Sequence, residues 1–585
     1  MENTEIAKIF YEIADLLEIK GENPFRVRSY RNAGLIIEGL PVSVKSIVER
    51  DERELEKIKG IGKSIREKVV EILKTGKCRF HQELLKELPS GLLEILNISG
   101  IGPRKVELLY KELGIRTVDD LEKAAKKGLL RGLPGMGEKT EKKILRSIED
   151  YKNLKIAAQR FRLSVAYPYA RGYVEYIKEM GHISQIEIAG SLRRWKDTIG
   201  DVDILVTCNK KGAAMDVMEH FVSYPDVREV LAKGETKSSV VLNVGLQVDL
   251  RVLSEDSFGA ALQYFTGSKA HNIALRDRAK KLGLKISEYG VFKEKTGKKV
   301  AGRTEEEVYR AVGLVWIPPE IRENQGEIEL AEKDRLPRLV EEADIKGDLH
   351  AHTTYSDGTN TIEEMADKAI EMGYEYLAIT DHSKAVGIAH GLDEGRIRQQ
   401  LKEIDRVNER LKEKGVKFRL LKGTEVDIRA DGTLDHPPEV LQELDCVVAA
   451  IHSRFDMPQA QMTERIIKAL STGLVNILAH PTGRLIGIRE PYQVDIEAIM
   501  DCAKEYGVAL ELNSYPERLD LNDSHLRLAR KKGVLVSIGT DSHSVYHLDY
   551  ITYGVHTARR GWLEAKDVLN AMPLEKLLKV LKRKG

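Results

Sequence analysis

With 585 residues the chain is too long for one hydrophobic core, so several domains are required. A composition of 42% hydrophobic and 32% charged residues excludes a disordered polymer, and 93 Lys+Arg against 92 Asp+Glu, net +1, carries no global mark of a nucleic-acid binder. Four scattered cysteines, Cys78, Cys208, Cys446 and Cys502, exclude a disulfide framework or zinc ribbon, and no apolar run approaches the roughly 18 residues of a membrane span, so a cytoplasmic protein without a membrane partner is expected.

The first 150 residues read as short amphipathic helices punctuated by glycine, and one element recurs three times. The copies are Ile58-Lys59-Gly60-Ile61-Gly62-Lys63, Ile98-Ser99-Gly100-Ile101-Gly102-Pro103 and Leu133-Pro134-Gly135-Met136-Gly137-Glu138. Each G-x-G precedes a helical pattern with basic residues early in it, such as Arg104, Lys105, Lys139 and Lys142. Glycine admits close approach of the backbone to a phosphate, and the N–H groups opening the next helix face the anion, which positions DNA without reading its sequence. The element resembles the helix-hairpin-helix motif of DNA repair proteins, with Gly60, Gly62, Gly100, Gly102, Gly135 and Gly137 as the candidate DNA contacts.

From about Arg160 strands alternate with helices: Ile183–Ala189, Val202–Thr207 and a hairpin-like pair over Ser238–Val252, before helix and loop return from Tyr264 to Val312. The sharpest feature is Gly190-Ser191-Leu192-Arg193-Arg194 followed by Gly200-Asp201-Val202-Asp203, with Asp249 on a later strand. Residues two apart in a strand share a face about 6.7 Å apart. Asp201, Asp203 and Asp249 can then form a cluster for two Mg²⁺ or Mn²⁺ ions about 3.5 to 4 Å apart, with Ser191, Arg194 and Gly200 as phosphate contacts.

That spacing resembles the nucleotidyltransferase superfamily, and Tyr264-Phe265-Thr266-Gly267-Ser268, continuing through Asn272 to Arg276, narrows the resemblance to family X DNA polymerases of the bacterial and archaeal type. By that resemblance Tyr264, Phe265 and Gly267 pack on the deoxyribose, and Asn272 and Arg276 reach the minor-groove side of the nascent pair. The family's eukaryotic members carry a Schiff-base lysine after the first hairpin motif, and Lys68 stands in the matching place as a candidate lyase nucleophile, flanked by Lys63 and Arg66.

Trp316-Ile317-Pro318-Pro319 marks a break and an acidic connector follows. Beyond Asp344 short β-type runs alternate with helices (Tyr376–Ile379, Phe418–Leu421, Cys446–Ile451, Val475–Leu478, Ala509–Leu512, Leu535–Ile538), which implies parallel βα units. His350, His352, Asp357, His382, Glu425, His452, His480, Asp541 and His543 fall at or just beyond the C-terminal ends of such runs, where βα barrels build active sites. Nine N and O donors exceed the needs of one ion, so two or three divalent cations are implied, with Zn²⁺, Mn²⁺ or Fe²⁺ suited to mixed imidazole and carboxylate. The series resembles the PHP (polymerase and histidinol phosphatase) family. Ser453, Arg454, Lys384, Arg484 and Arg518 are further candidates for holding a phosphate.

The expected chain is multidomain: an all-α helix-hairpin-helix region, an α+β nucleotidyltransferase palm with a small thumb, and a C-terminal α/β (βα)7-type barrel. Its expected divisions are 1–88 lyase-like, 89–155 DNA-binding, 156–260 palm, 261–320 thumb, 321–343 linker and 344–585 PHP domain. The resemblance implies a monomeric repair polymerase filling short gaps in primed double-stranded DNA with deoxynucleoside triphosphates. A 3′-5′ exonuclease trims 3′ ends, and abasic-site endonuclease is a further expected activity. The competing readings are a phosphoesterase for which the polymerase half is only a DNA platform, and a binding module in which neither site turns over.

Overall fold

In the computed structural model, which describes residues 3–38, 44–58, 60–89, 91–96, 98, 101–158, 160–210 and 212–582, the three G-x-G copies fold alike. The N–H groups of Ile61, Ile101 and Met136 donate to the carbonyls of Ile58, Ile98 and Leu133, closing one turn three times. Gly62 and Gly102 then cap the helices Lys63–Thr75 and Pro103–Leu113, and Gly137 leads into Glu138–Ala158. Apolar residues at helical spacing, Ile65, Val69 and Ile72 on one helix and Val106 and Leu109 on another, join a single core with Phe10, Leu16 and Leu121. These elements make up one unit of the chain, Met1–Ala158. Gly100, with Lys59 and Ser99, lies outside the described residues.

The second unit, Gln159–Gly585, begins with a five-stranded mixed sheet. Its strands are β1 (Ile183–Ile188), β2 (Asp201–Cys208), β3 (Val227–Lys233), β4 (Lys237–Leu242) and β5 (Gln247–Leu253), in the order β1-β2-β5-β4-β3. Only β2 and β5 run parallel, and their register puts Asp203 directly beside Asp249. Strand β3 has no expected counterpart: its residues Val-Arg-Glu-Val-Leu-Ala-Lys sit at the sheet edge, mostly exposed, and show no period-2 pattern.

The region expected as helix and loop also contains a small antiparallel sheet of β6 (Leu284–Ser287), β7 (Gly290–Lys293) and β8 (Lys299–Ala301). Strands of three or four residues are too short to show periodicity. Residues 321–343 do join the two halves, but as a packed segment containing the helix Glu327–Glu332. Ile321, Ile328, Ala331 and Leu339 share a core with Ile317 and with Trp562 of the C-terminal region.

Seven parallel strands complete the unit: β9 (Gly347–Ala351), β10 (Tyr376–Ile379), β11 (Arg419–Asp427), β12 (Cys446–Ala450), β13 (Ile477–Leu478), β14 (Ala509–Asn513) and β15 (Val536–Gly539), hydrogen-bonded in sequence order. The His352 N–H donating to the Ser542 carbonyl at 2.7 Å, with a bridge between Ala351 and Ser542, brings β9 back to β15 and nearly closes a barrel. Intervening helices cover the outside, so β9, β10, β12, β14 and β15 are buried on both faces, which is why β10 and β12 read as unbroken apolar runs and the polar residues of β9 and β14 are few and buried.

Two candidate metal centres

The Gly190–Arg193 turn sits on β2, with the Ala189 N–H donating to the Asp203 carbonyl at 2.8 Å. Gly190 has φ +68°, and a Cβ there would lie 2.8 Å from Asp203 Oδ2, so the backbone is pressed against the carboxylate as no other residue allows. Burial and the neighbouring Asp201 and Asp249 raise the Asp203 pKa to about 7, and burial with Asp249 raises that of Asp201. Gln247 Nε2 donates to Asp249 Oδ1 at 2.9 Å, and Lys237 Nζ lies 2.7 Å from Oδ2. Like charges crowded in this way, with Lys237 the cation paired directly with Asp249 and Arg251 and Arg160 acting from further off, are the donor set that suits divalent cations.

Two of the sequence-derived phosphate and base contacts are engaged elsewhere. Arg194 donates through Nε to Glu323 at 3.0 Å and through Nη1 to the Thr266 carbonyl at 2.7 Å, so its guanidinium is committed to holding the connector against the helix Phe258–Thr266. Asn272 Nδ2 donates to the carbonyls of Tyr264 and Gly267, and its Oδ1 accepts from Gln263. It therefore ties the Tyr264–Gly267 turn together. A Cβ at Gly267 would stand 2.5 Å from Asn272 Oδ1, which explains the glycine. Tyr264 and Phe265 close a helix, edge to face at 5.2 Å, with the Arg251 guanidinium 4.3 Å from the Phe265 ring centre. Ser191 and Gly200 are partly exposed beside the carboxylates, and Arg276 is exposed on the helix Lys269–Lys281.

Arg193, the neighbour of Arg194, forms a fork with the buried Glu305 at 2.7 and 2.9 Å, and Arg322 and Trp316 Nε1 bind the same carboxylate. Burial disfavours its charge, but the two arginines dominate and hold Glu305 far below the usual carboxylate range.

The barrel rim gathers the imidazole series. Donor atoms within 4.8 Å of one another fall into three groups: His352, Asp357, His382 and His543; His350, His352 and Asp541; His382, Glu425 and His452. His352 and His382 each belong to two groups, so the three pockets adjoin. His480, the ninth member, touches this nest through Nε2, 3.0 Å from Glu425 Oε1. Among the described residues the palm carboxylates form no group this tight.

The donors fit cations. The Nε2 of His350, both ring nitrogens of His352, Nδ1 of His382, Nδ1 of His480 and Oε2 of Glu425 are buried without a hydrogen-bond partner. His382 Nδ1 even lies 2.8 Å from Glu425 Oε2 without hydrogen-bond geometry. Burial and the imidazoles of His382 and His543 depress the His352 pKa to about 3, leaving a neutral donor. Burial opposes charge on Glu425 and Asp541, but the surrounding histidines hold both carboxyls well below their ordinary range.

Several supporting residues escaped the sequence analysis. Glu511 on β14 accepts from His350 Nδ1 at 2.6 Å and from the His480 N–H at 2.8 Å, Asp427 accepts from His452 Nδ1 at 3.1 Å, and Asn513 donates to Asp541 at 3.0 Å. Such partners set ligand orientation and tautomer. An isolated glutamate inside an apolar strand, Leu510-Glu511-Leu512, was the available signal for Glu511. Gly539 leaves the room it needs, since a Cβ there would be 2.4 Å from Glu511 Oε1.

Among the other candidates, Arg484 binds Asp197 and backbone carbonyls, Lys384 pairs with Glu394, and Arg518 Nε lies 3.6 Å from Asp541 Oδ2. In the N-terminal unit Lys68 Nζ is 3.2 Å from Ser64 Oγ and stands over the Tyr30 and Phe80 rings at 5.8 and 5.4 Å. Arg66, expected to crowd it, is paired with Glu56 at 3.0 Å. The space over Gly62, Gly102, Gly135 and Gly137 is open, as a phosphate-facing backbone requires.

Four family models match the chain: a helix-hairpin-helix domain over residues 1–78, a SAM-like helix-hairpin-helix tandem over 92–150, the DNA polymerase beta thumb over 261–323 and the PHP domain over 348–515. The DNA polymerase/3′-5′ exonuclease PolX of Bacillus subtilis (strain 168) is 41% identical over 585 residues, 100% of both chains. A probable phosphatase of Thermoanaerobacter sp. (strain X514) is 29% identical over 251 residues, 40% of this chain and 96% of its own. A probable phosphatase of Acetivibrio thermocellus is 34% identical over 206 residues, 34% of this chain and 78% of its own.

Proposed function

The chain belongs to the PolX family of DNA polymerase/3′-5′ exonucleases, and on that premise we propose how its residues divide the work. It is a family X DNA polymerase with a C-terminal PHP exonuclease domain. The platform-only reading is not favoured, because identity to the PolX relative runs through both halves. We assign 1–88 to the lyase-like region, 89–155 to the DNA grip, 156–260 to the palm, 261–320 to the thumb, 321–343 to the packed connector and 344–585 to the phosphoesterase.

In the palm, Asp201, Asp203 and Asp249 hold divalent cations, Mg²⁺ or Mn²⁺, which when bound activate the primer 3′-hydroxyl and neutralise the triphosphate. Ser191 and the Gly190 backbone receive phosphate oxygens, while Asn272 fixes the turn that sets Tyr264 and Phe265 against the deoxyribose. Arg194, held by Glu323 and the Thr266 carbonyl beside the site, is the further phosphate contact. Arg276, exposed on the same helix as Asn272 and donating through Nε to the Asn272 carbonyl, contacts the minor-groove side of the nascent pair. The hairpin backbones at Gly60, Gly62, Gly102, Gly135 and Gly137, and at Gly100, grip flanking duplex phosphates. The substrate is gapped or primed DNA with deoxynucleoside triphosphates, and the enzyme acts as a monomer. No helix among the described residues is long and apolar enough to cross a membrane.

At the barrel rim the nine donors hold two or three cations of the Zn²⁺, Mn²⁺ or Fe²⁺ class, with Glu511 and Asp427 fixing His350 and His452. The observation that carries the phosphoesterase assignment is the set of buried, partnerless nitrogens converging on Glu425. A gapped duplex whose primer strand is labelled at the 5′ end tests both halves in one gel. Wild type elongates the labelled strand with nucleotides and shortens it without them, Asp203→Ala loses only elongation and His350→Ala loses only shortening. Equal elongation by Asp203→Ala would refute the palm assignment.

A further inference from the structure

The loop after β14 reaches two places at once. Leu519 is fully buried, and every other fully buried member of the core it enters belongs to the palm, among them Leu163, Tyr173, Ile199, Val202 and Leu250, with Ile486 and Tyr553 packed at its margin. It holds φ +41° there, a left-handed conformation that a bulky side chain keeps only when its surroundings impose it. Ion pairs to the palm flank it: Arg162 with Glu517, and Asp197 with Arg484. Arg484 in turn ties down the loop, its Nε donating to the Arg518 carbonyl at 2.8 Å and its Nη2 to the Leu519 carbonyl at 2.5 Å.

The adjacent residue, Arg518, points the other way, its Nε 3.6 Å from Oδ2 of the metal-site residue Asp541. The loop is also pinned to the barrel, since Asp520 accepts from Thr482 N–H at 3.0 Å and Oγ1 at 2.9 Å, two residues beyond His480. One three-residue stretch therefore joins the palm core to the barrel's ligand nest.

We propose that Leu519 is a positioning residue for the phosphoesterase: seated in the palm, it fixes the loop that presents Arg518 at Asp541, so the barrel site is complete only when docked on the palm. The proposal rests on the phosphoesterase reading above. Arg518 offers the rim a cation beside the ligands, suited to a phosphodiester oxygen. Leu519 acts only through it.

The test uses the full-length enzyme as wild type, Leu519→Ala, Leu519→Met, Arg518→Ala and the Leu519→Ala/Arg518→Ala double variant. Shortening of 3′-labelled DNA in Mn²⁺ is resolved into kcat and KM, Mn²⁺ affinity is measured by calorimetry, and hydrogen exchange is followed at the Arg518 and Leu519 amides, both of which donate to the Tyr515 carbonyl. Leu519→Ala should lower kcat about 10- to 100-fold with Mn²⁺ affinity unchanged and the two amides exchanging faster. Leu519→Met should restore both readouts, and the alanine change should cost under about twofold in the Arg518→Ala background. Wild-type kcat in Leu519→Ala, additive losses in the double variant, or unaltered exchange would each overturn the proposal alone. A wild type that binds Mn²⁺ yet never shortens DNA would overturn the underlying phosphoesterase reading as well.

Discussion

Glu320, at the C-terminal end of the thumb, closes a seam against the barrel, and its removal has a calculable cost. It is 4% exposed, accepting from Arg559 Nε at 2.7 Å and facing His556 Nδ1 at 2.9 Å. Burial disfavours its charge, but hydrogen bonding to His556 and the Arg559 guanidinium override this and bring its pKa down from 4.5 to about 2. The folded-state pKa is depressed, so the stabilisation is complete above the unfolded pKa and disappears as pH falls through the folded one. A depression of this size corresponds to roughly 3 kcal/mol at neutral pH, falling to roughly 1 kcal/mol near pH 3 and largely gone at pH 2. Glu320→Gln should therefore destabilise the second unit by about 3 kcal/mol at pH 7 in urea unfolding followed by tryptophan fluorescence, Trp562 and Trp316 both lying in that unit. The variant and wild type should converge between pH 4.5 and pH 2. A difference below about 1 kcal/mol at pH 7, or one that stays constant down to pH 3, would refute the assignment of Glu320 as a buried ionised partner.

Asp203→Ala should lower primer extension at least about 100-fold, more than loss of an outer partner costs, while 3′-end shortening persists on the same substrate. Gly190→Ala places a methyl 2.8 Å from Asp203 Oδ2 at φ +68°, so it should cost about 1–2 kcal/mol in folding and depress extension; an unchanged rate would contradict the close packing. Glu511→Gln frees His350 Nδ1 and should weaken Mn²⁺ binding about 10- to 100-fold by calorimetry, with extension retained. Lys68→Ala should abolish borohydride-trapped adducts with an incised abasic end, and a persistent adduct would move that chemistry to another amine.

Legibility in the sequence followed chemistry that is local. The G-x-G turns and the aspartates at positions 201 and 203 sit within a few residues of one another, and the barrel strands announced themselves by being apolar on both faces. The rim donors were legible because nearly all lie at or just beyond the C-terminal end of a strand, so topology brings them together. What escaped was decided by packing between distant segments. Edge strand β3 and the three short thumb strands take their form from neighbours rather than from periodicity. The pairing of Arg194, a candidate phosphate contact, with Glu323, 129 residues away, could not be read from the sequence. Glu511 and Leu519 act through partners across the fold, and nothing in their immediate sequence names those partners.

The packed segment 321–343 bears on how the two halves can be handled as separate proteins. Ile317 and Ile321 on one side and Leu339 and Trp562 on the other share one apolar cluster, so a cut at either end of the segment divides a core rather than a tether. A barrel expressed from residue 344 onward would show water the indole of Trp562 and the side chain of Leu519, inviting self-association. The two halves share an interior along this stretch, so insertions that a flexible hinge would absorb should be poorly tolerated there.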